Sequence, residues 1–334
     1  MDHGVADYYL HLAKGQGRVV LKSVPISRLQ ADQLDSLQRT RLELVAAIRS
    51  FAVDSLGLSV NDNYTAFYDT KGLPISWNVS ASPPDRLEPF LWSFPLVGAL
   101  PYIGFFVKDR ALAERHQRQK AGYEAVARPV SAYSTLGYLA DPVLSSMLDY
   151  SPARLADLIL HESTHATIYI EDHTDYNESL ASFVGRQGSL NFLKFHYGPD
   201  TPLVDETLAS RADQLLFAEF MGGVVARLDS LYTSKADRQT KLGQRQLLFE
   251  QAKEEYRILR PRFGRLNYDV FLDWELNNAR LLSYKRYNRG LDDFASVLAG
   301  CKGNLRLAIG RFVECGAKKD PWACLRDTQI QYSP

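Results

Sequence analysis

The strongest constraint on this 334-residue chain is a short pattern, His161, Glu162, Ser163, Thr164, His165, set in a run whose apolar residues recur at helical spacing. Two histidines four apart on a helix project from one face, because a turn takes 3.6 residues. Both imidazoles can then reach one metal ion at about 2.0–2.1 Å. Glu162 stands one step round the helix, where it can take a proton from a water beside that ion without ligating it. A Zn²⁺ ion makes such chemistry work at neutral pH by lowering the pKa of its water toward about 7. Leu158, Ile159, Leu160 and Ile168 supply an apolar side that can bury. This helix must therefore pack on one side and present the other to a site.

Two imidazoles do not complete a catalytic zinc site, which needs a third protein ligand and one open position. Glu178 is the best candidate. It opens a second expected helix, residues 177–193, after a polar break at 171–176 that lets this helix fold back antiparallel to the first. Ala181 is small enough for close approach of the two. His-His-Glu is a common catalytic zinc set. Glu171 is a rival, six residues after His165, where a related motif places a third histidine, but Ile168 stands where that motif needs a turning glycine. His173, inside the break, is another. Asn177 and Asp175 are expected to orient the ligands from behind. His3, His11, His116 and His196 read as ordinary exposed or hydrogen-bonded side chains.

Around this pair the chain divides in character. Residues 18–26 read as a short strand or extended arm, and 32–56 as one long amphipathic helix ending at Gly57. Residues 60–130 are rich in aromatics broken by Pro74, Pro83, Pro84, Pro95 and Pro101, which predicts short strands joined by irregular loops. Beyond Tyr150 the pattern is helical: 152–170, 177–193, a hairpin of 204–233 and 235–260 turning at Thr233 and Ser234, then 268–284, 291–299 and 303–314. The expected fold is α+β, predominantly α-helical, a single compact unit over 1–334. Within it, a smaller mixed portion at 1–150 faces a helical portion at 151–334 that carries the helix pair, with the site between them.

Composition removes several classes. The 39 basic and 39 acidic residues cancel, so no basic face points to nucleic acid. No apolar run is long enough to span a bilayer. The N-terminus lacks the basic start and apolar core of a secretory signal, which leaves a cytoplasmic location, or an envelope or periplasmic one if a signal has been removed. The three cysteines, Cys301, Cys315 and Cys324, lie near the C-terminus at spacings too wide for a zinc knuckle. They read as a small C-terminal disulfide or as free thiols.

Several segments together resemble a bacterial family described as putative (predicted) aminopeptidases, a zincin group with an HExxH helix and a following NE-containing helix. They are GQG at 15–17, RSFAVDSLGL at 49–58, ISWNVSAS at 75–82, WSFPLVGALPYIGFF at 92–106, AYSTLGYLADPVL at 132–144, LILHESTHATIYI at 158–170, NESLASFVG at 177–185 and LNNARL at 276–281. The resemblance spans most of residues 8–313. It implies a zinc metallopeptidase of the gluzincin kind, acting on peptides, with one Zn²⁺ per chain held by His161, His165 and Glu178 and with Glu162 as base. Family members often begin with a lipoprotein-type signal, which this chain does not show. Tyr133 and Tyr287 are candidates for the donor that an oxyanion requires. The 92–106 and 132–137 segments are candidate cleft walls, the former as a strand that could pair with an extended peptide. Two other functions compete: a non-catalytic helical scaffold stabilised by zinc, for which Glu162 would have no use, and a zinc hydrolase acting on a non-peptide amide.

Overall fold

The computed structural model describes residues 2–29, 34–94, 98–130, 140–286 and 290–330. Its helices are α1 (Asp2–Lys22), α2 (Ser36–Phe51), α3 (Lys108–Lys120), α4 (Pro152–Thr167), α5 (Thr174–Tyr197), α6 (Pro202–Thr233), α7 (Arg238–Leu259), α8 (Val270–Asp273), α9 (Asn278–Arg286), α10 (Leu291–Gly300), α11 (Leu305–Gly316) and α12 (Pro321–Ile330). The strands are short: β1 (Val24–Pro25), β2 (Ala66–Tyr68), β3 (Trp77–Ser82), β4 (Trp92–Phe94), β5 (Gly98–Leu100), β6 (Ile103–Phe105), β7 (Glu124–Pro129) and β8 (Val143–Leu144). The architecture is α+β and predominantly α-helical. Among the described residues no helix is long and apolar enough to cross a membrane.

The helix ends follow from local chemistry. The Asp35 side chain accepts from the Gln38 N–H while Gln38 reaches back to the Asp35 N–H, a capping box that starts α2. A π-turn over Ala52–Leu56 extends this helix, and Gly57 ends it in the left-handed conformation at φ 72°. Ser151 accepts from the Arg154 N–H and Pro152 fills the first turn, so α4 begins where the sequence says it should. At the α6–α7 hairpin Ser234 is the C-cap of α6, and Asp237 caps α7.

Two stretches, 18–22 and 108–120, depart from the sequence reading, and the helix read over 268–284 is split into α8 and α9. Residues 18–22 are helical, the end of α1, and only Val24 and Pro25 pair as a strand, with β2. The β-branched Val19 and Val20 are overridden by packing: Tyr8, His11 and Val19 recur along one face, Val19 is buried, and a Cβ on Gly15 would overlap the Phe106 ring. Residues 108–120 form α3 inside the stretch read as strands and loops. The C-terminal segment folds as α12, joined to α11 by a Cys315–Cys324 disulfide, with Cys301 as a free thiol.

Strand order β6-β3-β7 gives an antiparallel sheet with Trp77 opposite both Phe105 and Pro129. The strand β6 lies at its edge. Its outward groups are taken by α1, since the Tyr8 hydroxyl donates to the Gly104 carbonyl at 3.1 Å and the Phe106 N–H donates to His11 Nε2 at 3.0 Å. Covering the edge this way removes a surface for unwanted strand pairing. The largest core cluster joins α2, α4 and α5 to the C-terminal helices through Ile48, Leu160, Phe192, Phe294 and Phe312. A second cluster, around Phe217, Tyr256 and Phe271, holds α6, α7 and α8 together.

Candidate metal centre

The helices α4 and α5 pack antiparallel at very short range, and small residues on α5 permit it. A Cβ on Gly185 would lie 2.5 Å from Asp157 Oδ1, 2.7 Å from the Asp157 carbonyl oxygen and 3.2 Å from His161 Cβ. One on Gly188 would lie 2.8 Å from Leu160. Gly185→Ala must therefore push a helix backbone aside, not merely a side-chain tip. The expected result is a loss of about 1–3 kcal/mol of stability together with weaker metal binding. Denaturant unfolding and metal titration would measure both. Gly17→Ala, where nothing lies within 4 Å, is the control and should leave metal binding alone.

This approach brings three donors together. His161, His165 and Glu178 place one ligand atom each within 4.8 Å of one another. His161 Nε2 lies 3.2 Å from His165 Nε2, and Glu178 Oε2 lies 3.6 Å and 3.7 Å from those two nitrogens. A tetrahedral ion with ligands at about 2.05 Å has edges of roughly 3.3–3.4 Å, so the triangle has the size of one face of such a site. The three donors and Glu162 also line a cleft of about 640 Å³. The residues present fit a divalent ion of the zinc type by number, chemistry and spacing.

Charge supports the same grouping. Burial would raise the Glu178 carboxyl, but hydrogen bonds from His161 and His165 outweigh it and hold the group well below the usual carboxylate range. Burial would lower the His161 imidazole. Its hydrogen bond to Glu178, with the charges of Glu162, Glu178 and Asp157, reverses the sign and raises it. Glu162 Oε2 is buried with no hydrogen-bond partner among the described residues, as is His165 Nδ1. A buried carboxylate oxygen left unpaired costs free energy unless something fills the space beside it.

The rivals for the third position stand apart. Glu171 is exposed on the turn between α4 and α5, and His173 sits at the N-cap of α5, outside the donor cluster. Asn177 spends its amide on that turn: Nδ2 donates to the Ile170 carbonyl at 2.7 Å and Oδ1 accepts from the Ile170 N–H at 3.0 Å. It fixes the geometry of the turn and so the start of α5, rather than touching a ligand imidazole as expected. Tyr133 and Tyr287 lie outside the described residues.

Sequence reasoning missed Tyr64. Its ring is buried, its backbone is left-handed at φ 62°, and its hydroxyl has no partner among the described residues. Burial, then the charges of Glu162 and Asp141, push the phenol up, so it stays protonated. A strained non-glycine residue of this kind persists only where the surroundings hold it. Nothing in the local sequence signals this, since the φ angle and the burial are tertiary.

Two packed helices thus bring together a His-His-Glu group that could hold a metal ion, at the wall of an open cleft. Residues 7–320 match the family model described as Putative aminopeptidase, and the chain belongs to that family. No curated protein and no solved structure matches it.

Proposed function

We propose that this protein is a zinc-dependent metallopeptidase of the gluzincin kind, with aminopeptidase action the first to test. His161, His165 and Glu178 would hold one Zn²⁺ per chain. Bound there, the ion would supply a Lewis acid and an acidified water at neutral pH.

The chain's own residues divide the remaining work. Glu162 accepts the proton of the attacking water on its unpaired Oε2 and delivers it to the departing amine nitrogen, acting first as base and then as acid. The apolar walls of the cleft, among them Phe94, Leu100, Ile103 and Phe105, hold the peptide and thin out competing water. The observation that carries this reading is the triangle of donor atoms at 3.2, 3.6 and 3.7 Å with an unpartnered Glu162 oxygen beside it. A structural zinc site is closed by four protein ligands and needs no base.

Metal removal tests it. The purified protein should carry one zinc per chain, lose hydrolysis of short peptides on treatment with a chelator, and regain it with one equivalent of Zn²⁺. Hydrolysis that survives complete removal of metal would sink the proposal.

A further inference from the structure

The cleft continues well beyond the donor triangle. From α4 it takes Arg154, Asp157, Leu158, His161, Glu162 and His165. Arg154, Leu158, His161 and His165 fall at i, i+4, i+7 and i+11, one stripe of the helix. The cleft therefore runs along α4, with the donors toward the C-terminal end and a guanidinium at the other. Two turns separate Arg154 from His161, about 10 Å along the axis at 1.5 Å per residue.

Arg154 is held at this post. Its guanidinium lies over the Tyr150 ring at 3.8 Å, and Tyr150 lines the same cleft. Stacking of this kind aims a planar cation and lowers the cost of ordering it when it binds. A second arginine, Arg128 on β7, also lines the cleft. The carboxylates lining it are Asp157, Glu162 and Glu178. Glu178 belongs to the donor triangle and Glu162 stands beside it. Asp157, one turn from Arg154, is packed against Gly185 on α5, and burial raises its carboxyl. The end of the cleft away from the donors thus carries the Arg154 guanidinium, and apolar and aromatic residues also line the cleft.

We infer that Arg154, propped on Tyr150, is a subsite for a peptide carboxylate, and that the enzyme selects short peptides bearing that carboxylate about three residues from the bond cut. An extended chain advances roughly 3.3 Å per residue, so about three residues span the distance from the donors to Arg154. The cleft volume of about 640 Å³ is of the size that takes a small ligand. The carboxylate could be the C-terminal one or an acidic side chain, and a guanidinium pairs with either in the same bidentate way. This inference rests on the metallopeptidase reading.

The test compares zinc-loaded wild type with R154Q and R154K on matched peptides of three to six residues. One arm uses C-terminal acids against C-terminal amides. The other uses amides with Glu against Gln placed two to four residues from the cleaved bond. In wild type, kcat/KM should favour the carboxylate partner about tenfold, in the first arm if the terminus is read and in the second if a side chain is. In R154Q the ratio should fall toward one through a rise in KM for the carboxylate peptides, and R154K should restore part of it. A merely structural role would lower both members of each pair alike and leave the ratio intact. Equal cleavage of all pairs by wild type, or a ratio unchanged in R154Q, would overturn the inference while the metallopeptidase reading stood. A zinc-loaded wild type that cleaves none of the peptides would overturn both.

Discussion

Glu162→Gln is expected to lower peptide turnover by roughly 10²–10⁴-fold, the range that general acid–base catalysis contributes, while the protein keeps its metal. The change is nearly isosteric, so the helix and its packing should be undisturbed. What is lost is an oxygen able to carry a proton. Glu162 is not part of the donor triangle of His161, His165 and Glu178, so metal content should stay at one per chain. Its Oε2 has no hydrogen-bond partner among the described residues, so replacing that oxygen breaks no hydrogen bond at that atom. The deficit should fall on kcat with little change in KM, the pattern of a group that acts in the transition state. Metal analysis beside steady-state kinetics on one preparation would read both quantities. A rate within tenfold of wild type would move the base elsewhere. Loss of the metal would make Glu162 a ligand.

How far the sequence could be read depended on whether the relevant order was local. The His161/His165 spacing and the polar break after α4 are each local features, and they locate the helix pair from the chain alone. Glu178 was preferred over Glu171 and His173 for a local reason as well, since it opens the helix that returns alongside α4. The glycines behind that return were less legible. Gly185 and Gly188 matter because α4 backbone and side chains lie where a Cβ would be, and a helical glycine reads locally only as a weak point.

The extended reading of residues 18–22 failed for the same kind of reason. Val19 and Val20 favour strands by propensity, yet Tyr8 and His11 tie α1 to the sheet edge through Gly104 and Phe106, residues distant in sequence. The helix α3 was hidden because Ala111 is its one buried residue, too little for a hydrophobic period. Asn177 was read as orienting the ligands from behind, and its amide does so only through the turn. Its contacts with Ile170 belong to a turn whose shape only the folded chain supplies. The C-terminal disulfide was one of two readings left open, because cysteine spacing fixes no pairing. Its packing role is clear in three dimensions. A Cβ on Gly316, next to Cys315, would lie 2.5 Å from Ile168, and the Tyr176 hydroxyl donates to the Phe312 carbonyl at 3.2 Å. The disulfide-joined helices thus brace both ends of the turn between α4 and α5.

Glu178→Ala is expected to empty the metal centre. Losing a partner behind a ligand typically costs about 10–100-fold in metal affinity, and removal of a ligand itself should cost more than that. The two remaining imidazoles, 3.2 Å apart, would keep neither the negative charge nor the third corner that Glu178 Oε2 supplies. Stability gives an independent readout. A ligand present at 1,000 times its Kd raises the unfolding free energy by about 4 kcal/mol, so zinc should shift the wild-type melting temperature upward and leave Glu178→Ala nearly unmoved. His173→Ala and Glu171→Ala separate this expectation from general damage to the turn, since both side chains lie outside the donor cluster and both variants should retain one zinc per chain and the full thermal shift. If Glu178→Ala instead held zinc with wild-type affinity and His173→Ala lost it, the third ligand would be on the turn. The helix pair would then have to rearrange on binding, because the closing side chain would have to come from outside the cluster that α4 and α5 now form.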